Sequence, residues 1–566
     1  MSAENKSGRM LIRIGGEAGQ GLETVGEMLA KALVRSGYEV LTTQSAMSRI
    51  RGGHNYFSIL TGAEPLSGPQ EDVDLLVAFT QETVDLHKDA LSDGGLILIG
   101  PDMEDQGVSS VLSVPYTELA EDKIMANVAA LGVVSAMIGL DQESVSGVVQ
   151  DALGSKHQDL LSKNLQALQN GIQWSGRQSI EFQPLPEGGG TGSKLALNGN
   201  EAIALGALAG GVDFCSFYPM TPATSVALNL ISQADELGVV CEQAEDEIAV
   251  INMALGASFC GARSLVPTSG GGFALMGEGI SLAGMTETPI VIVLAQRPGP
   301  ATGLPTQTEQ GDLELALSSG HGEFPRAIMA PGNAEECFHL TIKALDLAER
   351  YQTPVIVLTD QYLATSIRAV QPFDLSSISL PQAPAATSDD PESYQRFAWS
   401  EGGISPRLIP GAGRHLVVAD SDEHTPDGHI TEDHQVRVDM VNKRLKKLEG
   451  LVQEVLPPAY AGDEHPELLL MTWGSSQGPV LEAADTMRRQ GHSVATLSFS
   501  QVWPLDPGHF QDYLGRAGRV VSVEGNATGQ LARLIRRETG FQVQGQVRRY
   551  DGLPMTSAHI LRQLQS

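Results

Sequence analysis

The chain has 566 residues, room for three or four domains at roughly 100–200 residues each, and its 37 Lys+Arg against 68 Asp+Glu leave a formal net charge of −31. That balance excludes nucleic acid as an expected partner, because phosphate binding needs a basic face, and it disfavours anionic membrane surfaces. A hydrophobic share of 42% and a mean hydropathy of −0.06 are those of a globular chain, too apolar for a disordered one.

No stretch approaches about 18 uninterrupted apolar residues, so no spanning helix and no membrane partner is expected. The start, MSAENKSGRM, has no apolar signal core. Cys215, Cys241, Cys260 and Cys337 are scattered without a CxxC pair, which fits a reduced, cytoplasmic protein. The same scatter argues against a cubane cluster, or any other metal site, held by this chain alone.

Short β-branched runs alternate with amphipathic stretches along the whole chain, the pattern of parallel α/β sheets in several domains. A strand over Met10–Ile14 leads into the glycine turn GGEAGQG (Gly15–Gly21), a helix over Leu22–Ser36 and a strand over Tyr38–Leu41. Strands follow at Asp74–Phe79 and Gly95–Ile99, then a helical region over Lys123–Asn170. Glycines before a helix N-terminus can cradle a phosphate, or serve only as a tight packing turn. The G-G-x-x-G-x-G spacing and the absence of an acid after Leu41-Thr42-Thr43 argue against a dinucleotide. SRIRGGHNYF gathers Arg49, Arg51 and His54 into a local basic cluster, which suits an anionic cofactor tail or a solvated face.

The proline- and glycine-rich run within 178–195 reads as a linker. A helix over Asn200–Ala209 and a strand over Val212–Phe217 follow. The strand runs into YPMTPAT (Tyr218–Thr224), where Pro219 and Pro222 stiffen the loop that carries Thr221. Ligands of open α/β sheets bind at that strand edge, although a rigid proline turn needs no ligand. In EQAEDEIAVINMALGA, most of the acids suit a helix start. Glu247 stands apart, because it precedes a helix whose face Ile248, Ile251 and Leu255 is expected to be buried. A strand over Arg263–Pro267 ends in Thr268-Ser269 and three glycines, a turn that admits a cofactor ring, a partner backbone or nothing. A strand over Ile290–Leu294 leads to Arg297, whose guanidinium at a sheet edge can fork onto a carboxylate or make a loop salt bridge. A helix over Ala334–Arg350 and a strand over Pro354–Leu358 close this block near Val370. After an irregular Pro/Ser/Ala-rich stretch comes a helix over Gln435–Val455 with heptad-like apolar spacing. The strands LLLMTWG, SVATLSFS and RVVSVEGN then restart the α/β pattern.

At these motifs the chain resembles the α subunit of a 2-oxoacid:ferredoxin oxidoreductase with the γ domain fused at its N-terminus. YPMTPAT is similar to the family's YPITPS loop, EDEIAVINMALGASFCGARSLVPTSGGGFALM to the α-subunit core, and QRPGPATGLPTQTEQGDL to the version in 2-oxoglutarate-type enzymes. GGEAGQG and RGGHNYF resemble the γ-domain motifs. The likeness runs from about residue 10 to the C-terminus, strongest over 212–365 and weakest over 371–400. The departures are Met220 for Ile and Ala223 for Ser, the second removing a hydroxyl beside the substrate loop.

The resemblance implies a γ domain over 1–177, a linker over 178–195 and a pyrimidine-type thiamine-diphosphate domain over 196–370. It implies an irregular region with one helix over 371–465 and a transketolase C-terminal-like domain over 466–566. The implied reaction is 2-oxoacid + CoA + oxidised ferredoxin = acyl-CoA + CO2 + reduced ferredoxin, in either direction. Glu247 would be the catalytic carboxyl that hydrogen-bonds the cofactor's aminopyrimidine and turns its exocyclic amine into a base. Thr268 and Ser269 would lie beside the cofactor, Thr221 and Arg297 would hold the oxoacid carboxylate, and Arg49, Arg51 and His54 are the candidates for CoA. The chain has no GDG motif and no cluster cysteines. In the family these belong to a β subunit, so the resemblance implies an (αβ)2 assembly whose β chain brings Mg2+, the diphosphate site and a [4Fe–4S] cluster, with ferredoxin docking there. The TGLPT loop leans toward 2-oxoglutarate over pyruvate, branched or aryl oxoacids. Two rivals stand against this reading. An NAD(P)-dependent dehydrogenase lacks its acid after the second strand, and a scaffold that had lost activity would have lost Thr221, Glu247 and Arg297.

Overall fold

A computed structural model describes residues 8–47, 53–120, 122–153, 158–179, 182–186, 188, 193–376, 378, 380 and 394–565. Their Cα atoms cluster into two compact units: Met1–Asn198 with Thr365–Phe373 and Thr556–His559, and Gly199–Ala364 with Asp374–Met555 and Ile560–Ser566.

The first unit is built on an eight-stranded sheet. Its order is Val111–Ser113, Leu91–Ile99, Val73–Ala78, Arg9–Glu17, His54–Gly62, Glu39–Ser45, Arg368–Val370 and Leu195–Leu197. The first three pairings are parallel and the other four antiparallel, so this sheet is mixed where the sequence pattern suggests parallel strands alone. Connection length explains the change. Only residues 46–53 join Glu39–Ser45 to His54–Gly62. A parallel return needs a crossover of roughly a dozen residues or more, so the chain folds straight back. Helices Leu22–Arg35, Ala126–Met137 and Gln142–Leu153 bury Leu29, Leu33, Leu131, Val134 and Val149 against Ile12, Ile14 and Ile59 of the sheet.

The expected glycine turn over Gly15–Gly21 is shorter than its motif, because the strand continues through Gly15 and Gly16 to Glu17. A Cβ at Gly15 would lie 2.4 Å from Thr83 Cγ2, and one at Gly16 would lie 2.3 Å from Gln20 Oε1. These two glycines therefore clear space for side chains of the same unit.

The second unit holds two sheets. The seven-stranded one runs Gln501–Trp503, Ala327–Met329, Pro354–Asp360, Ile290–Gln296, Ser264–Thr268, Phe214–Phe217, Val240–Gln243. It is parallel except where Gln501–Trp503 joins antiparallel. Its central strands are buried on both faces, which is why IVIVLAQ and PVIVLTD read as unbroken apolar runs. The five-stranded sheet runs Ala459–Gly462, Val494–Phe499, Leu468–Trp473, Arg519–Glu524, Gly545–Arg548. One core joins the two sheets, with Leu469, Met471, Trp473 and Phe499 packed in the same cluster as Ile292, Leu294 and Ile356.

The helix His434–Gln453 keeps its heptad-like stripe, but the filling differs from the expectation. Met440 and Leu451 bracket Lys443, Arg444 and Lys447, and all five are buried. Among the described residues no helix is long and apolar enough to cross a membrane.

Candidate active site

Four neighbouring strands of the seven-stranded sheet end on one edge, and together they deliver five residues singled out by the sequence. Ile290–Gln296 ends at Arg297, Ser264–Thr268 at Thr268 and Ser269, Phe214–Phe217 leads to Thr221, and Val240–Gln243 leads to Glu247. The loops are held from below. Asn200, fully buried, donates to the Pro222 carbonyl (2.8 Å) and to Ser225 Oγ (2.7 Å), which fixes the proline loop. Ser216 Oγ donates to the Val250 carbonyl (2.8 Å) and ties that strand to the helix Glu247–Phe259.

Asp246 caps this helix, its Oδ1 accepting from the Ala249 N–H at 2.7 Å. The cap leaves Glu247 as the first helical residue, 4% exposed, with Oε1 buried and without a hydrogen-bond partner. Leaving such a polar group unsatisfied costs about 1–3 kcal/mol, more if it is charged, so packing alone does not account for it. A Cβ at Gly272 would fall 2.4 Å from Thr268 Oγ1 and 2.6 Å from Glu247 Oε1. The carboxyl thus abuts a surface kept bare by a missing side chain. Ser269, fully buried, also has an unpartnered Oγ. The helix face differs from the expected one: Ile251 and Leu255 are buried, but Ile248 points outward at 53% exposure. The turn after Asp246 carries the side chain of Glu247 inward and rotates that of Ile248 out.

Arg297 and Thr221 are brought together. Arg297 Nη1 donates to the Thr221 carbonyl at 2.7 Å, while the rest of Thr221 is exposed. Partial burial lowers the guanidinium's pKa, and the charge of Asp312 counters that.

Asp312 lies in the TEQGDL motif, where the sequence does not mark it as a site residue. Burial pushes its carboxyl up to about 6 against the pull of Arg297. Its Oδ2 is buried and unpartnered, and a Cβ at Gly270 would sit 2.5 Å from that oxygen. Glu309 is also raised, by burial first and by Asp312 second. The available signal was an acid directly after a loop of Pro, Thr and Gly with no cation nearby in sequence. The three glycines expected as a turn instead open the helix Gly270–Leu275, and three buried, unpartnered polar atoms, on Glu247, Ser269 and Asp312, lie at its start. That is a cradle for a ligand with hydrogen-bonding groups, closed by a cation on one side.

Of the three candidates in the first unit, Arg49 and Arg51 lie outside the described residues. His54 opens a strand and is 8% exposed, with its Nε2 2.8 Å from Nε2 of His87. Burial holds its pKa below the usual histidine value, so near neutral pH it is an uncharged hydrogen-bonding group. His87 is held to about 3 by burial and by Arg13, whose Nη1 lies 3.2 Å from its Nδ1.

Residues 205–443 match the family described as pyruvate flavodoxin/ferredoxin oxidoreductase, thiamine diP-bdg. Residues 11–174 match pyruvate ferredoxin/flavodoxin oxidoreductase, and 460–563 match the transketolase C-terminal domain. The chain is 31% identical to the 2-oxoacid:ferredoxin oxidoreductase subunit alpha of Sulfolobus sp, over 96% of this chain and 94% of the relative. It is 29% identical to the 2-oxoglutarate oxidoreductase subunit KorA of Mycobacterium tuberculosis, over 94% of this chain and 88% of that protein. Among solved structures it is similar to the 2-oxoglutarate:ferredoxin oxidoreductase from Magnetococcus marinus with 2-oxoglutarate, coenzyme A and succinyl-CoA bound. The TM-score is 0.91 at 31% identity, covering 98% of this chain and 99% of the other.

Proposed function

The chain belongs to the 2-oxoacid:ferredoxin oxidoreductase family, as an α subunit with a fused γ-like domain, and from that premise we propose that its oxoacid is 2-oxoglutarate. The reaction is 2-oxoglutarate + CoA + oxidised ferredoxin = succinyl-CoA + CO2 + reduced ferredoxin, in either direction. The observation that carries the thiamine-dependent part is the bare, buried Oε1 of Glu247 facing the side-chain-free surface at Gly272. The choice of 2-oxoglutarate draws support from the KorA relative and from the oxoacid in the Magnetococcus marinus enzyme.

The residues present fit thiamine diphosphate. Glu247 Oε1 offers the partner a pyrimidine nitrogen needs, and Gly271, between Ser269 and Gly272, faces open space where a Cβ would stand. When bound, this cofactor supplies the carbon nucleophile that adds to the oxoacid carbonyl and accepts the electrons left behind by CO2. Glu247 would share a proton with the ring nitrogen through its buried Oε1. Arg297, fixed by the Thr221 carbonyl, presents its remaining donors to the oxoacid carboxylate and orients the bond to be broken. CoA is taken on the side of the first unit, with His54 contributing a neutral hydrogen bond. A β subunit in an (αβ)2 assembly brings Mg2+, the diphosphate site, a [4Fe–4S] cluster and the ferredoxin docking face. That division suits a chain of net charge −31, which would itself repel an acidic electron carrier.

The test is co-expression with a candidate β subunit, followed by ferredoxin or viologen reduction with a panel of 2-oxoacids plus CoA. Reduction that depends on 2-oxoglutarate and CoA, with pyruvate and branched oxoacids clearly slower, is the expected result. A preference for another oxoacid overturns the substrate. Activity of the lone chain overturns the divided site.

A further inference from the structure

Asp312 is placed like a functional group and has no role in the reading above. Its backbone is clamped from both directions. The N–H donates to Gln296 Oε1 at 2.9 Å, and the carbonyl accepts from the Ala316 N–H at 2.9 Å. Gln296 is itself anchored, its Nε2 donating to the Thr359 carbonyl at 3.0 Å. The residue precedes the helix Leu313–Ser318, yet its side chain caps none of that helix's N–H groups. A carboxylate so firmly mounted, with Oδ2 buried and unpartnered against Gly270, is not explained as a structural cap.

The charges around it decide what it can do. The positive charge of Arg297 favours its ionised form, and its own charge in turn raises Glu309. Glu247 lies against Gly272 of the helix Gly270–Leu275, and Glu314 on the helix after Asp312 is engaged by Arg533 at 3.1 Å. One arginine therefore already stands among several carboxyl groups before any substrate arrives. A 2-oxoacid brings another carboxylate to that arginine. In a partly desolvated site the extra negative charge is relieved most readily by protonating the buried acid that lacks hydrogen bonds.

We propose that Asp312 is a proton-linked counterion of the oxoacid clamp. It is an anion that balances Arg297 in the empty site, and it takes one proton from solvent when the substrate carboxylate binds. This rests on the reading of Arg297 as that clamp. Asp312 is thus a specificity-determining residue. While ionised it opposes a second carboxylate at the arginine, and so it makes the affinity of carboxylate ligands depend on pH.

The probe is N-oxalylglycine, which keeps both carboxylates of 2-oxoglutarate and is not decarboxylated. It is titrated calorimetrically into the assembled enzyme near pH 7, in two buffers of different ionisation enthalpy. The expected result is uptake of roughly half to one proton per site, with the dissociation constant rising up to about tenfold per pH unit above about pH 6. Asp312→Asn should bring proton uptake close to zero and level the pH profile, while Arg297→Ala should weaken binding in both backgrounds. Tight binding that Arg297→Ala weakens, without proton uptake and with a level pH profile, overturns the role of Asp312 and leaves the clamp standing. Binding indifferent to Arg297→Ala, or no binding at all, overturns the clamp and this inference with it. Unchanged uptake in Asp312→Asn moves the proton to another group and also overturns it. If that variant does not fold, the two-buffer titration and pH profile of the unaltered enzyme decide alone.

Discussion

Glu247 and Glu287 are both buried acids of the second unit, 4% and 1% exposed, yet their surroundings are opposite. Glu287 is saturated. Lys443 Nζ reaches its two carboxylate oxygens at 2.7 and 2.9 Å, and Lys447 Nζ lies 2.5 Å away. Arg396 Nη2 donates to its backbone carbonyl at 2.8 Å. Even its left-handed backbone (φ 49°) is held in place by these partners. This carboxylate fastens the helix His434–Gln453 to the turn before the strand Ile290–Gln296. Glu247 has a capped helix beneath it and a bare oxygen in front. The contrast teaches that burial by itself does not identify a functional acid. What separates the two is whether the chain's own cations satisfy it.

The sharpest way to break that contrast is Glu247→Gln. Turnover should fall about 10²–10⁴-fold, the range for losing a positioned acid–base group, while thermal unfolding stays near that of the parent. Near-normal turnover would defeat the assignment. Glu287→Gln should do the reverse, losing about 3–5 kcal/mol of stability in a urea titration because buried cations are left without their anion, with the activity per folded molecule retained. Arg297→Ala comes next. It should raise the KM for the oxoacid roughly 10–100-fold through loss of charge-assisted hydrogen bonds, with kcat changing far less in steady-state assays.

The smallest effect concerns pH. One carboxylate serves three cations at Glu287, and burial first, then the neighbouring cations, lower Lys447 to about 7 against the pull of Glu287. Its folded pKa is below its unfolded one, so between about pH 7 and about 10.5 the unfolded chain binds more protons. Stability should therefore rise with pH through that window, by at most about 1.4 kcal/mol per unit from this group. Lys447→Met should flatten the slope when unfolding free energies are compared at pH 7 and pH 9. An unaltered slope would show that the cluster keeps all its charges.

Much of this arrangement was legible in the sequence where one strand ends and one residue follows. Thr221, Thr268 and Arg297 could be placed because apolar runs mark the strands and Pro, Thr-Ser-Gly or Gln-Arg mark the ends. What was hidden depends on contacts across many residues. Nothing near TETP announces that Glu287 meets lysines more than 150 positions later, separations of 156 for Lys443. The heptad-like spacing of His434–Gln453 was readable, but its inward Lys443 and Lys447 make sense only once Glu287 is placed opposite them, and its inward Arg444 only once Glu423 is. Asp312 escaped for a related reason: an acid reads as solvated unless burial is known. In the first unit, the strand His54–Gly62 was hidden because its opening residues, HNY, look like part of a polar loop, although burial is continuous from Phe57 onward.

The sheet edge has a consequence for how this enzyme could diversify. Each working group sits on a separate loop rooted in its own strand, so a change in one loop need not disturb the others. If the Thr221 loop carries the oxoacid as proposed, Met220 beside it can change to suit longer or bulkier acids while the helix opened by Glu247 stays in place. Such a layout lets substrate range and cofactor chemistry be inherited separately, as interchangeable fittings on one fixed rail.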